Sequence, residues 1–213
     1  AAAWTVWDRW QAQPVFAQTF STPRGARQEV SLPDGSRLQL DVATRLEVIY
    51  RRHQRQVRLV EGEALFDVRS DPAVPFEVLA GPAWVRVVGT RFAVRYIPDL
   101  PVDTEVAVAV EAGVVRVARA TVTGGRAERA DSQTVLLSAG QRVALDAAGT
   151  HGPVSAVAGT GVAPWRQHRV AFDNQRLDRV LAQLARYGDL PWRVQDPAVA
   201  ALRVTGVFDP RDL

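Results

Sequence analysis

The 213-residue chain has no cysteine and no lysine, and no long run of apolar residues. Without cysteine there is no disulfide framework, no thiolate metal ligand and no thiol nucleophile, and a cytosolic or a bacterial periplasmic address both stay open. Without lysine, the 26 basic residues are all arginine. The high isoelectric point therefore reflects arginine's pKa more than an excess of charge, since the formal net charge is only +3. Arg51, Arg55, Arg58, Arg86 and Arg95 alternate with other residue types along strand-like segments, the pattern of a solvated strand face. Nucleic-acid binders instead cluster basic residues, so no nucleic-acid partner is expected. A membrane-spanning helix needs about 20 apolar residues, and none is present.

Groups for chemistry are equally sparse. His53, His151 and His168 are scattered without ligand-like spacing. Ser31, Ser36 and Ser138 have no nucleophile-elbow or triad context. Glu61 and Glu63 flank Gly62 on one strand face and would repel unless solvated or bridged by arginine. Gly124-Gly125 is followed by neither a helix nor a lysine, so it is no phosphate loop. No catalytic residue, metal site or cofactor is expected, and the chain does not read as an enzyme.

What is present is a repeated pattern, an alternating apolar strand broken by a glycine and resumed at once: VRLVEGEALFDV (57–68), VAVEAGVVRVAR (108–119) and LLSAGQRVALDA (136–147). Gly62, Gly113 and Gly140 read as reversals of a hairpin, because glycine takes a positive φ without steric cost. Pro33-Asp34-Gly35-Ser36 is a turn signal between two alternating segments. Strand-like segments follow at short intervals as far as Leu145, which predicts a mainly β fold, an antiparallel sandwich, roll or solenoid. In Gly89-Thr90-Arg91-Phe92, Gly89 allows a kink, Phe92 turns inward, and Thr90 and Arg91 face outward. Trp84 sits among apolar neighbours and is expected to be buried; were it exposed, a carbohydrate- or cell-wall-binding β module would be the alternative function.

Four regions follow. Residues 1–27 form an N-terminal segment in which Trp4, Trp7 and Trp10 would share one side of a short helix, either at a membrane–water interface or docked on the β domain. Residues 28–147 are the all-β domain. Residues 148–164, rich in small residues, read as a linker with little side-chain burial. Residues 165–213 form a small α+β unit of order β-α-β-β: RVAF (169–172), a helix capped by Asn174 with a stripe of Leu177, Val180, Leu181 and Leu184 and ended by a left-handed Gly188, then PWRV (191–194) and LRVTGVF (202–208). Asp209-Pro210 looks like a further helix start.

LPDGSRLQLDVATRLEV, VRLVEGEALFDV, PFEVLAG, VRVVGTRFAVR and VAVEAGVVRV, in that order, resemble the periplasmic domain of the FecR family of transmembrane sigma-factor regulators. The segment from Trp165 to Pro210 resembles the first part of a secretin/TonB short N-terminal (STN) domain. The resemblance implies the periplasmic part of a single-pass inner-membrane protein anchored upstream of residue 1. It also implies a receiver for the N-terminal signalling domain of a TonB-dependent outer-membrane transporter in cell-surface signalling, as a rule for iron uptake, and a cytoplasmic sigma factor governed through a segment absent here. The contact would lie on the small unit, at Phe172, Leu202, Val204, Thr205, Gly206, Val207 and Phe208. LRVTGVF alternates, with Val207 opposite Val204 and Phe208, and its backbone edge is either open to strand addition or covered by a missing strand.

Overall fold

A computed structural model of the chain describes residues 13–98, 106–123, 126–129, 134–157, 161–190 and 194–212. Trp4, Trp7, Trp10, Gly124-Gly125 and residues 191–193 of the expected PWRV strand lie outside the described residues. In chain order the strands of the first domain are β1 Phe16–Ser21, β2 Gln28–Ser31, β3 Arg37–Leu40, β4 Arg45–Arg51, β5 Gln54–Asp67, β6 Phe76–Ala80, β7 Ala83–Val87, β8 Arg91–Tyr96, β9 Val106–Ala112, β10 Val114–Thr123, β11 Arg126–Arg129, β12 Val135–Ser138, β13 Gln141–Leu145 and β14 Ser155–Ala156.

They form one curled mixed sheet with two layers sharing the long β5. One layer runs β1-β4-β5-β6-β7-β10-β12, and β11 extends the far end of β10. The other layer runs β2-β3-β5-β8-β9-β13-β14. Alternation puts every second side chain between the layers, where Leu46, Val57, Val85 and Val117 of the first meet Leu38, Phe66, Phe92, Val108 and Val143 of the second in one apolar cluster. Phe66 stacks on Phe92 with centroids 5.1 Å apart and meets Phe76 edge-on at 6.2 Å, geometries that add to the gain from area burial alone.

The three glycine breaks are corners, not hairpins. Gly62 lies inside β5, where pairing passes from β4 and β6 to β3 and β8. Gly113 leads from β9 in one layer to β10 in the other, and Gly140 from β12 back to β13. At Gly62 φ is +106°, and a β-carbon there would lie 2.5 Å from Thr44 Cα and against Thr44 Oγ1. Thr44 Oγ1 accepts the Glu63 N–H at 3.1 Å, clamping the corner, and the β4–β5 register slips beside it. A single sequence pattern serves hairpin and corner alike, because both need a residue free of side-chain clash at the bend. One pair also departs from the antiparallel expectation: β5 ends in the second layer, the chain returns over residues 68–75, and β6 enters beside Arg55 running parallel to β5.

The second unit holds β15 (Val170–Arg176), helix α1 (Leu177–Leu184), a one-turn helix α2 (Pro197–Ala200) and β16 (Arg203–Phe208), with β15 and β16 antiparallel. Its own core is Val170, Phe172, Val180, Leu184, Tyr187, Leu190, Val204 and Phe208. Several helix details differ from expectation. Asn174 does not cap α1; it sits at φ +49° in a β15 bulge, and Arg176 precedes the helix. Gly188 does not end α1, which stops after Leu184. Of the expected second strand (191–194) only Val194 is among the described residues, and it lies outside any strand; between it and β16 stands α2, capped by Asp196 Oδ1 accepting the Ala198 N–H at 2.8 Å. The Pro33–Ser36 turn forms as expected, with the Gly35 N–H donated to Leu32 O at 2.9 Å.

Candidate partner-binding surface

Two polar clusters organise the molecule, and neither was visible in the sequence. The first closes one end of the strand domain. Asp34 accepts from Ser36 Oγ (2.7 Å), Tyr50 Oη (3.1 Å) and Arg55 Nη1 (2.7 Å). Arg55 also donates Nε to Val74 O and Nη1 to Arg69 O and lies over the Phe76 ring. Its residue is 4% exposed, which overturns the expectation of a solvated strand face for Arg55. The cause is the parallel return of the chain, which lays residues 69–76 over it. Burial pushes the Asp34 carboxyl up, but the hydrogen bonds from Ser36, Arg55 and Tyr50 outweigh it and hold the group below its usual range. Tyr50, desolvated and facing that carboxylate, is pushed well above the usual phenol range.

The second cluster joins the two units. Asp41, 1% exposed, takes Arg27 Nε at 3.0 Å from the strand domain and Tyr187 Oη at 2.6 Å from the second unit. The Arg27 guanidinium stands over both the Trp165 and Tyr187 rings, at 5.7 and 5.9 Å, and donates Nη1 to His168 Nδ1 at 3.0 Å. Arg186 Nη2 donates to the carbonyls of Val42 and Ala43, and Arg95 Nη2 to Gln183 Oε1 at 2.7 Å. Helix α1 leaves carbonyls without intrahelical partners at its C-terminus, and the strand domain supplies donors there. Arg24 donates to Ala185 O and Gly188 O, and the Gly25 N–H to Arg186 O at 3.1 Å. Burial lowers the Arg186 pKa, nearby Arg95 adding to the effect. Tyr187 is raised well above the phenol range by burial and by Asp41. The signal in the sequence was the Arg-Tyr pair after the Leu-rich helix, but nothing there named its partners.

Residues 148–164 divide. Gly149 and Thr150 close a turn after β13, Ser155–Ala156 add β14, and then Val162, Ala163 and Trp165 bury themselves on Leu65 and Ala93 of the second layer. The expectation of little side-chain burial therefore fails at the C-terminal end of this stretch. Trp165 Nε1 donates to Glu63 Oε1 at 2.8 Å. Desolvation raises the Glu63 pKa, against the opposing pull of Arg95. Glu61 pairs instead with Arg45 at 3.6 Å on the surface, so the bulge at Gly62 separates the two glutamates. Thr90, expected to face outward, is buried and donates Oγ1 to Val114 O at 3.1 Å, tying the β7–β8 crossing to the start of β10. Arg91 is surface-paired with Glu111, which also takes Arg166. Trp84 is buried with Leu79 and Ala118.

The seven residues expected at the partner contact, Phe172 on β15, Leu202 just before β16 and the other five along β16, separate between the two faces. Phe172, Val204, Gly206 and Phe208 face the unit's own core, with Phe172 and Phe208 edge-to-face at 5.7 Å. Thr205 is exposed, yet its Oγ1 accepts the Asn174 N–H at 2.9 Å, filling the β15 bulge. Leu202 and Val207 are 57% and 53% exposed. Among the described residues β16 pairs only with β15, so its second edge has no neighbour. No group of three or more His, Cys, Asp and Glu among the described residues is arranged to hold a metal ion. No helix among them is long and apolar enough to cross a membrane.

This is a curled, two-layer strand domain carrying a small α+β unit. Residues 18–116, most of that strand domain, match the family model "FecR protein". Two solved structures from Parabacteroides distasonis ATCC 8503, each of a "putative anti-sigma factor", have the same fold. One, at 2.50 Å, has a TM-score of 0.73 and 24% identity over 92% of this chain and 85% of its own. The other, at 1.65 Å, has a TM-score of 0.72 and 23% identity over 91% and 85%. No curated protein matches the chain.

Proposed function

We propose that this chain is the periplasmic receiver of a membrane-anchored FecR-type regulator of a sigma factor, and that it has no catalytic role. Its C-terminal unit takes up the N-terminal signalling domain of a TonB-dependent outer-membrane transporter, in a system serving iron uptake. The strand domain carries that unit away from an inner-membrane anchor, and the sigma factor is governed by a segment outside this chain. The match of residues 18–116 to the FecR model supports the regulatory role, as does the fold shared with the two Parabacteroides structures, each of a "putative anti-sigma factor", whose alignment extends over nine-tenths of this chain. The observation that carries the binding assignment is the edge of β16 that has no strand partner among the described residues, with Leu202 and Val207 exposed beside it. Unpaired backbone groups recruit a strand from another chain, and flanking apolar side chains add affinity.

The test is a pull-down of the full chain with the signalling domains of the organism's TonB-dependent transporters, alongside Leu202→Asp and Val207→Asp. Capture of one domain, weakened by both substitutions, supports the assignment; capture unaffected by either moves the contact off β16. The carbohydrate-binding alternative loses its best residue, since Trp84 is buried.

A further inference from the structure

The seam between the two units has an unusual make-up. The apolar cluster of the second unit contains only its own residues, and Trp165 belongs to a cluster of the strand domain. Everything described above that crosses from residues 170–190 to the strand domain is a hydrogen bond or an arginine over an aromatic ring. Between the buried Trp165 and β15 the chain passes through His168, a non-glycine residue at φ +56°, and the exposed Arg169. From these we infer that residues 168–169 are a hinge and that the Asp41 seam is a latch, so that residues 170–212 swing as one body on the strand domain.

The chemistry of the seam suits reversible opening. Polar interfaces between domains are held more weakly than apolar ones, and relative motion is their default behaviour. A buried carboxylate is costly to strand without a partner, but Asp41 keeps Arg27, from its own unit, when Tyr187 leaves. The carbonyls of Val42 and Ala43 and those at the end of α1 are freed into water, which accepts them at little cost. The latch grips a rigid point, because residues 41–44 lie next to the corner where Thr44 clamps Gly62 and Glu63. The latch stands on the seam geometry alone; only its use in relaying occupancy of the C-terminal unit rests on the receiver reading.

The absence of cysteine makes the test direct, since Gln18→Cys on β1 and Asp173→Cys on β15 place two spin labels on exposed positions of the full chain. Without any partner, the labelled parent should give one narrow distance distribution. Adding Arg186→Ala with Tyr187→Phe should broaden it. Hydrogen exchange in peptides covering 22–27 and 41–44 should rise by about fivefold per hydrogen bond lost, while 204–208 keeps its protection. Gly25→Ala opens the seam from the other side, since its added carbon meets Tyr187 O at 2.9 Å and its φ is +73°; it should broaden the same distribution. A distribution that stays narrow in both variants overturns the latch. So does a loss of protection at 204–208 equal to that at the seam, which would mean unfolding of the unit. Neither outcome bears on transporter binding, which is measured separately.

Discussion

Two clusters of a carboxylate, an arginine and a tyrosine tie the molecule, to different ends, one within the strand domain and one between the two units. Around Asp34 all partners belong to one domain and arrive on neighbouring strands and their connections, Ser36 and Tyr50 and Arg55. Around Asp41 one partner, Arg27, is local and the other, Tyr187, comes from the second unit. The first knot holds only if the whole domain is folded. The second is divided between bodies, each with its own apolar core. The same three side chains thus act as a structural knot in one place and a fastening between bodies in the other, and the difference lies in who supplies the partners.

The largest effect should follow Arg55→Ala, which removes the buried partner of the half-buried Asp34 and leaves an empty volume beside it. A loss of about 3–5 kcal/mol is expected from breaking a buried pair, read as a drop in the denaturant midpoint of the strand domain. If the loss is no larger than for Tyr187→Phe, the distinction between knot and fastening fails. Gly62→Ala is expected to cost about 3 kcal/mol, from a left-handed φ and from overpacking against Thr44. Gly140→Ala, at φ +79° but with no atom within 4 Å of the added carbon, should cost only about 1 kcal/mol. Equal losses for the two glycines would show that crowding at the corner is unimportant.

Tyr187→Phe should cost about 1 kcal/mol, seen as faster exchange at the seam with the strand-domain midpoint unchanged. The acid behaviour of two carboxylates sharpens the comparison further. Asp34 has a native pKa below the ordinary aspartate value of 3.8. Its contribution is fully present above that value and is lost as pH falls through the native one, so Asp34→Asn should flatten the stability curve below pH 3.8. Glu63 has a native pKa raised above 4.5. The folded state then binds the extra proton, and stability from this group falls as pH rises above 4.5. Glu63→Gln should remove that fall, and pH-dependent denaturant titrations separate the two slopes.

Much of the fold was legible in local pattern. Alternation in LRVTGVF assigned Val204 and Phe208 to one face and Val207 to the other, and the structure agrees because side-chain parity along a strand is a property of the backbone. Pro33 to Ser36 announced their turn for the same reason, since the chemistry of a turn lies within four residues. The Leu-rich stripe of α1 pointed its Val180 and Leu184 inward.

What covers a face is not a local property. Arg55 alternated like its exposed relatives, and only the return of residues 69–76 buried it. The Gly62 break looked like a reversal, and only the placement of two layers made it a corner, because one permissive residue serves either bend. Thr90 looked outward until the crossing from β7 to β8 set its hydroxyl against β10. The amino-acid sequence by itself determined the strands, their faces and the helical stripe, through backbone periodicity and turn chemistry. Tertiary structure decided the layer crossings, the burial of Arg55 and the Asp41 seam, because each joins residues far apart in the chain whose pairing depends on how the sheet closes.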